Sequence, residues 1–297
     1  MTIYSEIASN KRRTWLVMVL FIVFIATIAY IFGRASGEGY AFAGIAVVTS
    51  GLISLWSYFF SDGLVLGISG AKQISEGDNP ELFHLVQNMT IASGLPMPKI
   101  YLISDSSPNA FATGRDPKHS SIAVTTGLLE KLDRVELEGV IAHEMSHIQN
   151  YDIRLMAVVT ILVGSVSLLA DWFARSLWWG GDSDKGSSKL EVILMILGLV
   201  LAILSPIIAT LIQLAISRRR EFLADASAAM MTRHPDGLAR ALEKISADRR
   251  VPQFANNATA HLFIVNPFKG KDLASKLSGL FDTHPSTAER VAALRSM

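Results

Sequence analysis

The chain has 297 residues, of which 50% are hydrophobic and only 18% are charged. Soluble domains usually carry nearer a quarter charged residues, so this composition indicates membrane spans. The formal net charge of +1 gives no electrostatic basis for nucleic-acid binding, and the absence of cysteine excludes disulfides and thiolate metal sites. Any metal in this chain must therefore be held by histidine and carboxylate side chains.

Two apolar runs near the N-terminus predict a pair of transmembrane helices. The first, residues 14–32, follows the basic patch Lys11-Arg12-Arg13 and is long enough to cross the hydrocarbon layer. A secretory signal has a shorter apolar core, so we interpret this run as a retained signal anchor. The second run, residues 41–60, follows a loop that is long enough only for a turn. The two spans are therefore predicted to form a hairpin.

The segment 61–153 is more polar and predicts the first part of a domain outside the bilayer. Asn79-Pro80 is typical of a helix N-cap followed by proline in the first turn. Residues 99–105 and 119–127 are rich in Ile, Val, Thr and Tyr and predict strands, with a short strand at 109–113 between them. These elements indicate a small α+β unit.

A long helix is predicted to begin at Asp133, which forms a capping-box pattern with Glu136. It is expected to continue unbroken into a third apolar run, residues 155–174. A polar, Gly/Ser-rich loop, 175–189, separates that run from a fourth one, 190–216. The sequence thus predicts four transmembrane helices.

Basic residues predict the orientation of these spans. Clusters of Lys and Arg lie at 11–13 and 218–220, on the same side of a four-span chain. By the positive-inside rule, both termini and the polar segments 61–153 and 217–297 are cytoplasmic, and the 175–189 loop is periplasmic.

The sequence His143-Glu144-Met145-Ser146-His147 has the spacing of a zinc site on a helix. Histidines four residues apart share one helix face, so both imidazoles can reach a single ion. Glu144 is placed to deprotonate a water activated by the metal. The pattern also arises by chance, so its context has to decide.

A catalytic zinc ion needs a third protein ligand. A histidine six residues after His147 would supply it in one protease class, but that position is Ile153. Glu221 lies directly after the fourth apolar run, and the helix that carries His143 lies directly before the third. If the third and fourth spans are antiparallel neighbours, Glu221 and His143 come close together. Asp225, on the same face as Glu221, is a candidate acceptor for the outer N–H of a ligating histidine.

Six motifs spread along the chain resemble those of a known family. The motifs HEMSH, RRREFLADASAA, NPEL, PKIYLI, PNAFATG and THPSTAERVAAL are similar in kind and order to those of the HtpX-type bacterial heat-shock membrane metalloproteases, relatives of the CAAX prenyl endoproteases. The resemblance implies that His143, His147 and Glu221 bind zinc and that Glu144 is the catalytic base and acid. It also implies an endopeptidase that clips or degrades misfolded membrane proteins at the cytoplasmic face of the bacterial inner membrane.

Two further features are candidates for substrate contact. The motif PNAFATG resembles the edge strand beside the family's zinc cleft, where an extended peptide could pair with the backbone, so Asn109, Ala110 and Phe111 are candidate substrate-binding residues. His284 precedes Pro285 at a loop–helix junction and could donate a hydrogen bond to the oxyanion. A lone histidine in such a place also serves a purely structural role.

The sequence therefore predicts a mainly α membrane protein with four transmembrane helices and a cytoplasmic α+β zincin-like metalloprotease domain. One Zn²⁺ per chain, the lipid bilayer and protein or peptide substrates are the expected partners; no oligomeric state is predicted. A site-2-type protease with its motif inside the bilayer is a competing interpretation, which the polar flanks of the motif oppose. A non-enzymatic scaffold that keeps zinc structurally is another, and the presence of Glu144 argues against it.

Overall fold

Two long apolar helices form the N-terminal part of the molecule. The computed structural model describes residues 3–35, 39–179, 218–248, 250, 251, 253, 262–264 and 285–297. Helix α1 is Ile3–Ala35 and helix α2 is Gly39–Ile68. By length and composition, both could cross a membrane, over Ile7–Ile31 and Gly39–Ile68. The spans predicted at 14–32 and 41–60 lie almost entirely within these two stretches.

Helices α1 and α2 run antiparallel, as the predicted hairpin requires. Trp15, in the first half of α1, stacks on Tyr58 near the end of α2, and Tyr30 packs against Tyr40 at the opposite ends. The buried face of α2 consists largely of small side chains, which permit close helix approach: Ala46, Ser50, Ser54, Ser57 and Ser61. Large apolar side chains occupy its exposed face: Leu52, Trp56, Phe59 and Phe60 among them.

A four-stranded mixed sheet follows, in the order β1-β2-β4-β3. The strands are β1 (Lys72–Gln73), β2 (Lys99–Ile103), β3 (Ala110–Asp116) and β4 (His119–Thr125). Strands β2 and β4 are parallel, and the two other pairings are antiparallel. The predicted strands are confirmed, although β3 extends further than expected. Among the described residues β3 pairs only with β4, so its other edge is open to pairing.

Local capping signals position the helices of this unit, which are α3 (Pro80–Ser93), α4 (Thr126–Lys131) and α5 (Arg134–Gln149). The Asn79 side chain accepts a hydrogen bond from the backbone N–H of Leu82 at 3.0 Å. At the start of α5, Glu136 N–H donates to Asp133 and Asp133 N–H donates to Glu136. Both predicted caps are confirmed.

The prediction of one unbroken helix from Asp133 into the third apolar run is wrong. Helix α5 ends at Gln149, and a separate helix, α6, is Asp152–Trp179. Between them Tyr151 has φ +61°, a left-handed conformation that terminates a right-handed helix. A tertiary contact holds this turn, because the carbonyl of Asn150 accepts a hydrogen bond from Asn10 of α1.

Helix α6 contains the third apolar run, 155–174, and continues through the residues where the 175–189 loop was predicted to begin. It packs against α1 through apolar side chains of both helices: Val17, Met18 and Phe21 with Leu155, Val158, Val159, Leu162, Val163 and Val166. The remainder of that loop and the fourth run, 190–216, lie outside the described residues. Four transmembrane helices therefore remain a prediction.

Three later helices complete the described fold: α7 (Arg218–Thr232), α8 (Pro235–Ser246) and α9 (Thr287–Arg295). Helices α7 and α8 both pack against α5, and α9 packs against α7 and α8. Gly139 permits the close approach of α5 and α8, because a Cβ atom there would lie 2.8 Å from the backbone nitrogen of Leu238. The described molecule is thus mainly helical, with a small sheet beside α5.

Candidate metal centre

The two histidines of the HEMSH motif face one point from successive turns of α5. The Nε2 atoms of His143 and His147 are 3.1 Å apart, and their rings meet edge to face. Both side chains are buried. The opposite side of this turn of helix carries apolar residues that belong to the buried core: Ile141, Met145 and Ile148.

Glu221, on α7, completes a group of three possible ligands. Its carboxylate oxygens are 3.7 Å from the Nε2 atom of His143 and 3.7 Å from that of His147. One ligand atom from each of the three residues lies within 4.8 Å of the others, and all three residues are buried. Two imidazole nitrogens and a carboxylate are donors that zinc accepts, so the residues fit such an ion.

Carboxylates hold the outer nitrogen of each imidazole. His143 Nδ1 is 3.0 Å from Asp225 Oδ1, and His147 Nδ1 is 3.1 Å from Asp152 Oδ2. A carboxylate at Nδ1 fixes the proton there and leaves Nε2 as the metal-binding nitrogen. Asp225, the candidate acceptor from the sequence, thus lies beside the outer nitrogen of His143, and its role towards a metal ligand stays a prediction. Asp152 was missed, because an unbroken helix would turn it away from His147.

Arg290, on α9, is a second residue that sequence reasoning missed. Its guanidinium donates to both oxygens of Asp225, at 2.8 and 2.7 Å, and lies 3.2 Å from Glu221. Burial alone would lower the pKa of Arg290, but the Asp225 and Glu221 carboxylates raise it above its usual value. The same ion pair outweighs the burial of Asp225 and lowers the pKa of that carboxyl. An arginine in the C-terminal motif THPSTAERVAAL was the available signal.

Glu144 lines the same pocket and differs from Glu221 in its surroundings. Burial is the main reason that its pKa rises to about 7, and the nearby Glu221 carboxylate adds to the effect. The backbone N–H of Ala112, on β3, donates to the Glu144 carboxylate. A carboxyl group with a pKa near neutrality can both accept and return a proton, which is what general acid–base catalysis requires.

The cavity at this point is small. Its volume is about 10 Å³, room for one water-sized group. Ten residues line it: Phe111, Ala112, His143, Glu144, His147, Met156, Glu221, Leu262, Phe263 and Ile264. It lies between α5, α7 and strand β3, and residues 262–264 close one side.

The candidate substrate residues at the start of β3 occupy different positions. The Asn109 side chain is buried and accepts a hydrogen bond from Ile264 N–H at 3.3 Å, while the Asn109 carbonyl accepts from Thr125 N–H of β4. Backbone groups alternate along an antiparallel ladder, so those of Ala110 and Ala112 point to the open edge. Phe111 lines the cavity, and it also belongs to a buried apolar cluster.

Of two further residues considered in the sequence, the structure describes Arg220 but not His284. His284 lies outside the described residues. Arg220, part of the basic cluster interpreted as a topology signal, is 6% exposed, and its Nε atom is 3.2 Å from Asp152. This arginine therefore contributes to the surroundings of the His147 imidazole.

Comparison with known proteins places this geometry in a family. The model of peptidase family M48 matches residues 76–297. A protease HtpX homolog of Dictyoglomus thermophilum is 44% identical over 100% of this chain and 95% of its own length, and one of Tropheryma whipplei (strain Twist) is 45% identical over 99% and 98%. In fold the chain is similar to Ste24p of S. mikatae, with a TM-score of 0.53 and 20% identity over 95% of this chain and 66% of that one. The chain therefore belongs to peptidase family M48, as a membrane metalloprotease of the HtpX type.

Proposed function

We propose that this chain is a zinc-dependent endopeptidase in which His143, His147 and Glu221 hold one Zn²⁺. The observation that carries the proposal is the convergence of two Nε2 atoms and a carboxylate, with each Nδ1 atom already committed to another carboxylate. Three protein ligands of this kind are typical of catalytic zinc sites, whereas structural sites use four.

The protein residues divide the chemistry among them. A zinc ion held here would supply Lewis-acid chemistry, polarising a carbonyl group and increasing the acidity of water. Glu144 takes a proton from the attacking water at a carboxylate oxygen and delivers it to the leaving amine. Asp225 and Asp152 keep the two imidazoles in the orientation that presents Nε2. The outward backbone groups of Ala110 and the backbone carbonyl of Ala112 pair with the main chain of an extended substrate, while the Ala112 N–H stays with Glu144.

The decisive test is Glu144→Gln in the purified full-length protein. Loss of the carboxylate removes the proton carrier but none of the proposed ligands, so cleavage of casein or a membrane-protein substrate should fall by at least about a hundredfold. Bound zinc, measured by elemental analysis, should stay at one ion per chain.

Glu138→Gln is the matched control, since it makes the same change earlier on α5 at a partly exposed position. It should leave activity unchanged. Full activity in Glu144→Gln would sink the catalytic assignment. If the wild-type protein and all variants bind zinc but none of them cleaves the substrate, the non-enzymatic scaffold is favoured instead.

We further propose that the enzyme acts at the cytoplasmic face of the bacterial inner membrane, in quality control of misfolded membrane proteins. The two apolar helices, the basic clusters near residues 11–13 and 218–220, and the resemblance to HtpX-type proteases support this location. Mapping cleavage sites by mass spectrometry, in membranes with the wild type and with Glu144→Gln, tests the substrate class. Sites confined to cytoplasmic loops of unstable membrane proteins are the expected result.

A further inference from the structure

Four helices of this protein meet on the single carboxylate of Asp152. This residue begins α6 and is 2% exposed. Its Oδ2 atom faces His147 Nδ1 of α5 at 3.1 Å, and its Oδ1 atom is 3.2 Å from Arg220 Nε of α7. The third contact comes from the fourth helix, α1, where Asn10 Nδ2 donates to Asp152 Oδ1 at 2.7 Å.

Asn10 uses both of its N–H groups at this junction. The second donates to the backbone carbonyl of Asn150 at 2.9 Å, in the turn between α5 and α6. Both partners are pure acceptors, so the amide orientation is fixed: a flipped side chain would turn its oxygen towards a carbonyl and a carboxylate. Asn10 is 1% exposed, although it lies directly before the basic residues 11–13 of α1. A polar side chain in such a place is costly unless it is hydrogen-bonded.

We infer that Asn10 is a positioning residue for the metal ligand His147 and acts through Asp152. The inference rests on the proposed zinc site. Two contacts support one geometry: the bond to Asn150 holds the turn that brings Asp152 back towards α5, and the bond to Asp152 sets the direction of its carboxylate. The carboxylate then fixes the ring of His147, so a residue of the N-terminal apolar helix controls the orientation of a ligand more than a hundred positions away.

The test is the zinc affinity of the full-length protein in detergent, measured by competition with a chromophoric chelator. Replacing a group that orients a ligand typically weakens metal binding about 10- to 100-fold, and Asn10 is one step further from the ion. Asn10→Ala should therefore raise the zinc dissociation constant about tenfold. Asn10→Leu, which keeps the volume in an apolar setting, should do the same and guards against a packing defect in the alanine variant.

Thr14→Val is the matched control. Thr14 is equally buried one turn along α1, and its hydroxyl donates only to the Asn10 carbonyl at 2.9 Å among the bonds of the described residues. Its replacement should leave the zinc dissociation constant unchanged.

A double-mutant cycle separates positioning from a general structural role. Asp152→Asn alone should weaken zinc binding about 10- to 100-fold. If Asn10 acts through Asp152, adding Asn10→Ala to Asp152→Asn should produce little further loss, because the shared path is already broken. An equal further loss in the double variant, or an unchanged dissociation constant in both Asn10 variants, would overturn the inference.

The same data distinguish this inference from the proposed function. If the wild-type protein binds no zinc, or His147→Ala binds it as tightly as the wild type, the proposed site is wrong and the inference falls with it. If zinc binding by the wild type depends on His147 but the Asn10 variants have the wild-type dissociation constant, the proposed zinc site stands and the proposed role of Asn10 is wrong.

Discussion

Single residues at the candidate metal centre are held by charges that balance one another. Arg290 lies between the carboxylates of Asp225 and Glu221, and all three side chains are almost completely buried. Desolvating three charges is expensive, and their mutual attraction repays the cost only while each keeps its partners. Removing the arginine would leave two buried carboxylates close together.

Arg290→Ala should therefore destabilise the protein strongly, by about 3–5 kcal/mol, the usual cost of breaking a buried ion pair. Thermal unfolding in detergent would show it as a lowered midpoint. Arg290→Lys keeps the charge but loses the two-pronged contact, so its effect should be smaller. Arg295→Ala is the control on the same helix: its partner Glu243 is exposed, and the midpoint should barely move. Equal midpoints for Arg290→Ala and Arg295→Ala would contradict this account.

Among the elements, the break between α5 and α6 matters most for the site. In a continuous helix, Asp152 would point away from His147, five residues earlier. The left-handed Tyr151 reverses the chain locally, at a cost of about 1–2 kcal/mol for a residue other than glycine. Contacts around the turn offset that cost, since Lys11 lies over the Tyr151 ring at 4.4 Å and Asn10 binds the Asn150 carbonyl.

The left-handed backbone at position 151 predicts that a glycine variant is more stable than an alanine variant, the reverse of the order inside a helix. Both Tyr151→Gly and Tyr151→Ala lose the ring contacts, but glycine adopts φ +61° without strain. The glycine variant should be more stable than the alanine variant by about 1 kcal/mol. Within an unbroken helix the order is reversed by a similar amount. Unfolding midpoints of the two variants decide between a break and a continuous helix.

Local signals made part of this architecture predictable. The caps at Asn79 and Asp133 and the strands β2 and β4 depend on short-range pattern, and histidines spaced four apart must share a helix face. The break at Tyr151 was not predictable in this way, because tyrosine has no preference for positive φ and the contacts that hold the turn come from the distant helix α1. Arg290 and Asn10 were missed for the same reason: their roles depend on partners far away in the chain.

On the scale of the whole molecule, the site lies where the apolar helices meet the α+β unit. Helix α6 starts beside the proposed metal ligands and packs along α1, and α2 contacts both of these helices. The ligands thus stand beside the end of α1 that carries Lys11, Arg12 and Arg13. In the orientation proposed above from the positive-inside rule, that end would face the cytoplasm.

The absence of native cysteine makes this orientation directly testable. Ser187→Cys, in the predicted 175–189 loop, should react in intact cells with a thiol reagent that does not cross the inner membrane. Met297→Cys, at the exposed C-terminus, should react only after the membrane is opened. The cysteine-free parent is the blank. Labelling of Met297→Cys in intact cells would reverse the proposed topology.

The contact of Asn10 with Asp152 also has a practical consequence for choosing fragments. The family match starts at residue 76, which invites expression of a soluble piece from that point onward. Such a piece would contain His143, His147 and Glu221, yet it would leave Asp152 without one of its donors and expose the apolar face of α6 that α1 covers. Poor metal retention or aggregation in a truncated preparation would therefore reflect the missing helix rather than a defective ligand set.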